Sequence, residues 1–77
     1  MGRKRDTQNA WVRKRLLSGR RLTQQAADER GIRRLAARIY DLKAEGIPIE
    51  TEFVRTRSGA RIARYEVPLD FRRALQA

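Results

Sequence analysis

Seventy-seven residues make one small domain and no more. Nineteen Lys and Arg against nine Asp and Glu give a formal net charge of +10, and sixteen of the nineteen are arginine. With no cysteine and no histidine, the chain has no disulfide and no thiolate or imidazole metal ligand, and its arginine excess points to a polyanionic partner.

Residues 1–5 include Arg3, Lys4 and Arg5 and offer nothing apolar to pack. They read as a flexible basic arm that can follow phosphates or enter a minor groove, with the domain proper over 6–77. The first helix is expected over 7–18, with Asp6 or Thr7 as N-cap and Trp11, Val12 and Leu16 as its apolar patch. Arg13, Lys14 and Arg15 turn away from most of that patch, and Gly19 ends the helix.

Arg20, Arg21 and Leu22 read as extended, a strand of one or two residues. Thr23 then caps a second helix over 24–30 in which Ala26 and Ala27 allow close packing. Ala26 stands where a capping box would put Glu, so this is a cap without a box. Gly31 makes the sharp turn to the third helix.

That helix is expected over 32–45. Ile32, Leu35, Ile39 and Leu42, at i, i+3, i+7 and i+10, form its buried stripe. At about 100° per residue the opposite face carries Arg33, Arg34, Ala37 and Asp41, with Arg38 and Tyr40 on its flanks. Gly46 stops the helix and Pro48 prevents its resuming.

Residues 47–54 alternate, with Ile47, Ile49 and Phe53 on one side and Pro48, Glu50 and Glu52 on the other. A turn over 55–61 has Ser58 and Gly59 at its tip. The returning strand, 60–67, puts Ala63, Tyr65 and Val67 inside and Arg64 and Glu66 outside. Pro68 ends it. Residues 69–76 suit a short helix with Leu69, Phe71 and Leu75 apolar and Arg72 and Arg73 outside; packing on the core and dimerisation both remain open for it.

Three constellations bear on function. On the third helix, Arg33, Arg34 and Arg38 can reach guanine edges or phosphates, and Ala37 leaves room for a thymine methyl. Asp41 is awkward on such a face unless it pairs with Arg38 at i+3 or lies past the groove wall. Around the hairpin tip, Arg55, Arg57 and Arg61 flank Ser58, where they suit phosphates or a narrow minor groove and also protect an edge strand. Arg20, Arg21, Thr23 and Gln24 surround the start of the second helix and suit a phosphate seat.

Catalysis finds no support. The glycines form neither GxGxxG nor a Walker loop. Asp28 and Glu29 project about 100° apart on a helix, and Glu50 and Glu52 are the polar half of a strand. No enzyme activity, cofactor, metal or small-molecule ligand is expected. No apolar run approaches the roughly 20 residues of a membrane span, and the basic start is followed by no apolar h-region, so the expected location is cytoplasmic, with the nucleoid.

The run RLTQQAADERGIRRLAARIYDLKAEGIPIETE, with a hairpin ending ARYEV, resembles the winged helix-turn-helix domains common in phage and prophage genes. In that pattern a threonine begins the second helix, an alanine pair packs it, and RLAARIYDLxxxG leads into a PI-type strand. Thr23, Ala26, Ala27, Leu35, Ala36, Arg38, Ile39, Asp41, Leu42 and Gly46 stand in those places, over about residues 16–67. The resemblance implies that Arg38, Tyr40 and Asp41 are framework as much as readers, with Arg38 paired to Asp41 or Glu50. Arg33, Arg34 and Ala37 then remain as the reading face, and Arg34 ranks ahead of Arg38.

The expected fold is therefore α+β, a winged helix-turn-helix with a three-helix core and a two-stranded wing. The expected partner is double-stranded DNA, bound as a homodimer or on tandem sites because one such domain touches few phosphates. One alternative is a protein-interaction module using Glu45, Glu50 and Glu52. Another is an RNA or single-strand binder, disfavoured because most of Trp11, Tyr40, Phe53, Tyr65 and Phe71 read as buried.

Overall fold

The apolar stripe of the third helix is the centre of the core. A computed structural model describes residues 3–76, which run in the order α1 (Arg3–Leu17), β1 (Leu22–Thr23), α2 (Gln24–Glu29), α3 (Leu35–Ala44), β2 (Glu50–Arg55), β3 (Arg61–Glu66) and α4 (Leu69–Gln76). Ile32, Leu35, Ile39 and Leu42 are all buried, and Val12, Leu16, Leu22, Ala27, Ile49 and Val67 close around them. Each large aliphatic side chain removed from water contributes about 1.5–3 kcal/mol. Trp11, Tyr65 and Phe71 pack half-buried against this cluster.

The strands form one antiparallel sheet in the order β1-β3-β2. Leu22 pairs with Tyr65, so two residues of β1 tie the helical half to the hairpin. Across β2 and β3, Thr51 faces Tyr65, Phe53 faces Ala63 and Val54 faces Ile62. The 69–76 segment is helical, and Arg72 Nε donates to the Val67 carbonyl at 3.2 Å to fasten its start.

Two helix starts differ from expectation. α1 begins at Arg3 rather than Thr7, so Arg3, Lys4 and Arg5 are helical rather than a loose arm. The cause lies far along the chain, because Arg5 meets the Asp41 carboxylate through two hydrogen bonds of 2.9 and 3.1 Å. Met1 and Gly2 of that arm, and the side chains of Arg3 and Lys4, lie outside the described residues.

α3 begins at Leu35 rather than Ile32, which leaves Ile32, Arg33 and Arg34 in the turn. The Gln24 side chain holds that turn. Its Nε2 donates to the Ile32 carbonyl at 2.8 Å, and its Oε1 accepts from the Leu35 amide at 3.0 Å. Gln24 thereby caps α3, for Arg34 at the N-cap position makes no side-chain capping bond. Gly31 has φ +81°, the left-handed conformation that the sharp turn requires.

Phe53 does not join Ile47 and Ile49 inside. It is 57% exposed, because β2 continues past the edge of the core, and the Arg61 guanidinium covers its ring at 4.4 Å.

Candidate nucleic-acid interface

The outer face of α3 carries Ala36, Tyr40, Lys43 and Ala44, all exposed, with Ala37 half-buried beside them. Arg33 and Arg34 are exposed in the turn that leads into the helix. Together with Gln8, Gly31, Ala37 and Arg38 they line a shallow concavity of about 530 Å³. The leading end of α3 is thus positive, and its middle is small or aromatic.

Arg38 and Asp41 belong to a different environment. They are 17% and 13% exposed and lie toward α1, where their side chains approach to 3.3 Å. Arg38 also donates to Gln8 at 3.4 Å, and Asp41 accepts from Arg5 and, at 3.3 Å, from Asn9. Desolvation pushes the Asp41 carboxyl up. Hydrogen bonds from Arg5 and Asn9, with the charges of Arg5 and Arg38, outweigh it and hold the carboxyl below its ordinary value. The i+3 pairing is therefore present, and it removes Asp41 from the outward face. Arg38 reaches only the border of that face.

Tyr40, 74% exposed, is the residue the helical wheel undervalued. At about 100° per residue it lies as close to the outward direction as Arg34 does. Reading it as framework by resemblance obscured that. Of the five aromatics, Tyr40 and Phe53 are thus exposed, while Trp11, Tyr65 and Phe71 pack half-buried against the core.

The wing presents Arg55, Arg57 and Arg61 to solvent. Its tip is ordered by Thr56, whose amide donates to the Ala60 carbonyl at 2.8 Å and whose Oγ1 accepts from the Ala60 amide at 3.2 Å. The Ser58 hydroxyl lies 2.9 Å from Thr56 Oγ1 and is part of the turn. Between the wing and α3 runs a largely apolar groove of about 240 Å³, lined by Gln25, Ala36, Thr56, Ile62 and Tyr65 among others.

Arg20, Arg21, Thr23 and Gln24 do not come together as one phosphate seat. Arg21 pairs with Glu66 at 3.3 Å, Thr23 Oγ1 accepts from the Ala26 amide, and Gln24 is committed to the α2–α3 turn. Arg20 points elsewhere, into a pocket beside Trp11.

Among the described residues, Asp41, Glu45 and Glu52 are each matched by an arginine. Besides Asp41, Glu45 pairs with Arg13 at 2.6 Å and Glu52 with Arg64 at 2.7 Å. The Arg64 hydrogen bond and charge lower the Glu52 carboxyl below its ordinary value. Arg33, Arg34, Arg55 and Arg57 have no carboxylate partner among the described residues. No group of three or more acidic side chains stands close enough to hold a metal among the described residues. No helix among the described residues is long and apolar enough to cross a membrane.

Three helices with a turn between the second and third, a short strand between the first and second, and a hairpin following define a winged helix, typically a non-enzymatic DNA-binding fold. The chain belongs to the winged helix-turn-helix domain family, whose model matches residues 7–67. α4 follows the matched region. No curated protein and no solved structure matches the chain. Family and fold together support a DNA-binding role.

Proposed function

We propose that the chain binds double-stranded DNA by laying the outer face of α3 in the major groove, with the wing on the flanking backbone or minor groove. The observation that carries this reading is the sorting of charge. Framework arginines neutralise Asp41, Glu45 and Glu52, while the arginines at the leading end of α3 and on the wing have no carboxylate partner among the described residues. Ala36, Ala37 and Tyr40 between them present no carboxylate to a phosphate-lined groove. Arg33 and Arg34 enter first, Tyr40 and Lys43 follow along the groove, and Arg55, Arg57 and Arg61 meet the backbone beyond it.

The role that suits such a domain is transcription regulation or DNA architecture, in a phage or mobile element as the RLAARIYDL run implies, with the protein held at the nucleoid. A single domain touches few phosphates, so useful specificity calls for a homodimer or tandem sites. As a protein-docking face, Glu45, Glu50 and Glu52 are weakened, since two of the three are already paired.

Fluorescence anisotropy tests the reading. Labelled random duplex DNA, single-stranded DNA and duplex RNA are titrated with the wild type and with Arg33→Ala/Arg34→Ala at several salt concentrations. The expected result is a preference for duplex DNA and a steep salt dependence, whose slope falls by roughly 1.8 in the double variant, at about 0.9 per lost phosphate contact. Equal weak binding to all three, unchanged in the variant, would sink it. Preference for the single strand would favour stacking on the exposed Tyr40 and Phe53.

A further inference from the structure

A second group of cations stands apart from α3 and the wing. Lys14, Arg15, Arg20 and Arg30, with Ser18 and the half-buried Trp11, line a concavity of about 570 Å³ between α1 and the end of α2. The Arg15 and Arg30 guanidinium carbons lie 5.4 and 5.6 Å from the centre of the Trp11 ring. None of the four cations has a carboxylate partner among the described residues, although five other arginines do. Arg15 Nε is buried without a hydrogen-bond acceptor.

Stacking on Trp11 accounts for two of these cations. It does not account for Lys14 and Arg20, which add like charge to a site that already has two and no acid in its lining. The concavity is also on the wrong side to belong to the α3 interface. Arg5, Asn9 and Arg13 of α1 point at α3, where they meet Asp41 and Glu45. At about 100° per residue, Trp11, Lys14 and Arg15 occupy the opposite side of α1, and Ser18 follows its end.

We propose that the Trp11 pocket is a second nucleic-acid contact, seating phosphodiester groups of duplex DNA on the side of α1 away from α3. The inference rests on the DNA-binding reading above. Phosphate oxygens supply the acceptors that the four cations lack, and the guanidinium planes held on Trp11 are preorganised to donate to them. α1, about 10 Å across, separates this contact from the groove-facing side. DNA reaches it by bending around the domain or as a second segment, which suits an architectural role.

Trp11 is the only tryptophan in the sequence, so its fluorescence reports on the pocket directly. Its emission and the anisotropy of a labelled short duplex are followed together for the full chain and three variants, with inorganic pyrophosphate as a separate arm. Lys14→Gln/Arg20→Gln leaves both stacked guanidinium groups in place, Lys14→Gln is the milder second variant, and Arg33→Ala/Arg34→Ala weakens the α3 side.

Duplex is expected to change Trp11 emission in the wild type and in Arg33→Ala/Arg34→Ala. In Lys14→Gln/Arg20→Gln the change is lost and the salt slope falls by roughly 1.8; in Lys14→Gln the slope falls by about 0.9. Unchanged Trp11 emission while anisotropy reports saturated duplex overturns the inference, as does a wild-type salt slope in both pocket variants. Absence of any duplex binding by the wild type defeats the underlying DNA-binding reading instead. A Trp11 response to pyrophosphate without one to duplex reassigns the pocket to small anions and overturns the phosphodiester assignment.

Discussion

Asp41 illustrates how a single side chain is assigned to framework or interface. From its place on α3 alone it sits near the reading face; in the fold it receives Arg5, Asn9 and Arg38 and joins α1 to α3. Its lowered folded-state pKa means that the ionised form favours the folded chain. That contribution is present above the ordinary value of 3.8 and is lost as pH falls from there through the lower folded value. Asp41→Asn is therefore expected to lower Tm at neutral pH and to flatten the fall in Tm between about pH 5 and pH 2, as measured by circular dichroism melts. Gly31 makes a second prediction at this scale. A Cβ there meets nothing within 4 Å, so the cost of Gly31→Ala is that of φ +81° alone. That is about 1–2 kcal/mol, or a loss of about 4–8 °C in Tm for each kcal/mol.

Elements were legible in the sequence where local periodicity determines them, and less so where distant contacts do. Leu35, Ile39 and Leu42 of the predicted stripe marked the core face of α3, with Ile32 buried in the turn before it, and the alternation after Pro48 marked the hairpin. The start of α3 was not legible, because it depends on the Gln24 side chain reaching across the turn to Ile32 and Leu35. Nor was the start of α1, which depends on an ion pair between residues 36 apart. Leu35 is fully buried in that core, so Leu35→Ala is expected to cost about 2–5 kcal/mol in urea unfolding. The wing behaves differently. Arg55 and Arg57 are exposed and have no carboxylate partner among the described residues, so Arg55→Gln/Arg57→Gln is expected to leave Tm within about 2–4 °C of the wild type, equivalent to about 0.5 kcal/mol. It is also expected to reduce the salt slope of duplex binding by roughly 1.8.

Across the whole molecule, a net charge of +10 is divided unevenly. Among the described residues five arginines pair with acids, four of them across elements, while most of the rest gather at the α2–α3 turn, the wing and the Trp11 pocket. Composition alone pointed to a polyanion, and the turn and wing arginines were readable as exposed cations that could meet one. The division between pairing and unpaired arginines was not, because every pair but Arg38–Asp41 joins residues distant in sequence. The exposed Tyr40 was hidden for another reason: its place in the RLAARIYDL run implied a framework role, although at about 100° per residue it flanks the outward face. Amide chemical-shift mapping with a short duplex tests the docking of α3 most directly. Insertion of this helix predicts the largest changes at Ala36, Ala37, Tyr40 and Lys43, with a second set over residues 55–61. Saturated binding that leaves the α3 amides unmoved, with changes confined to β2 and α4, would contradict it.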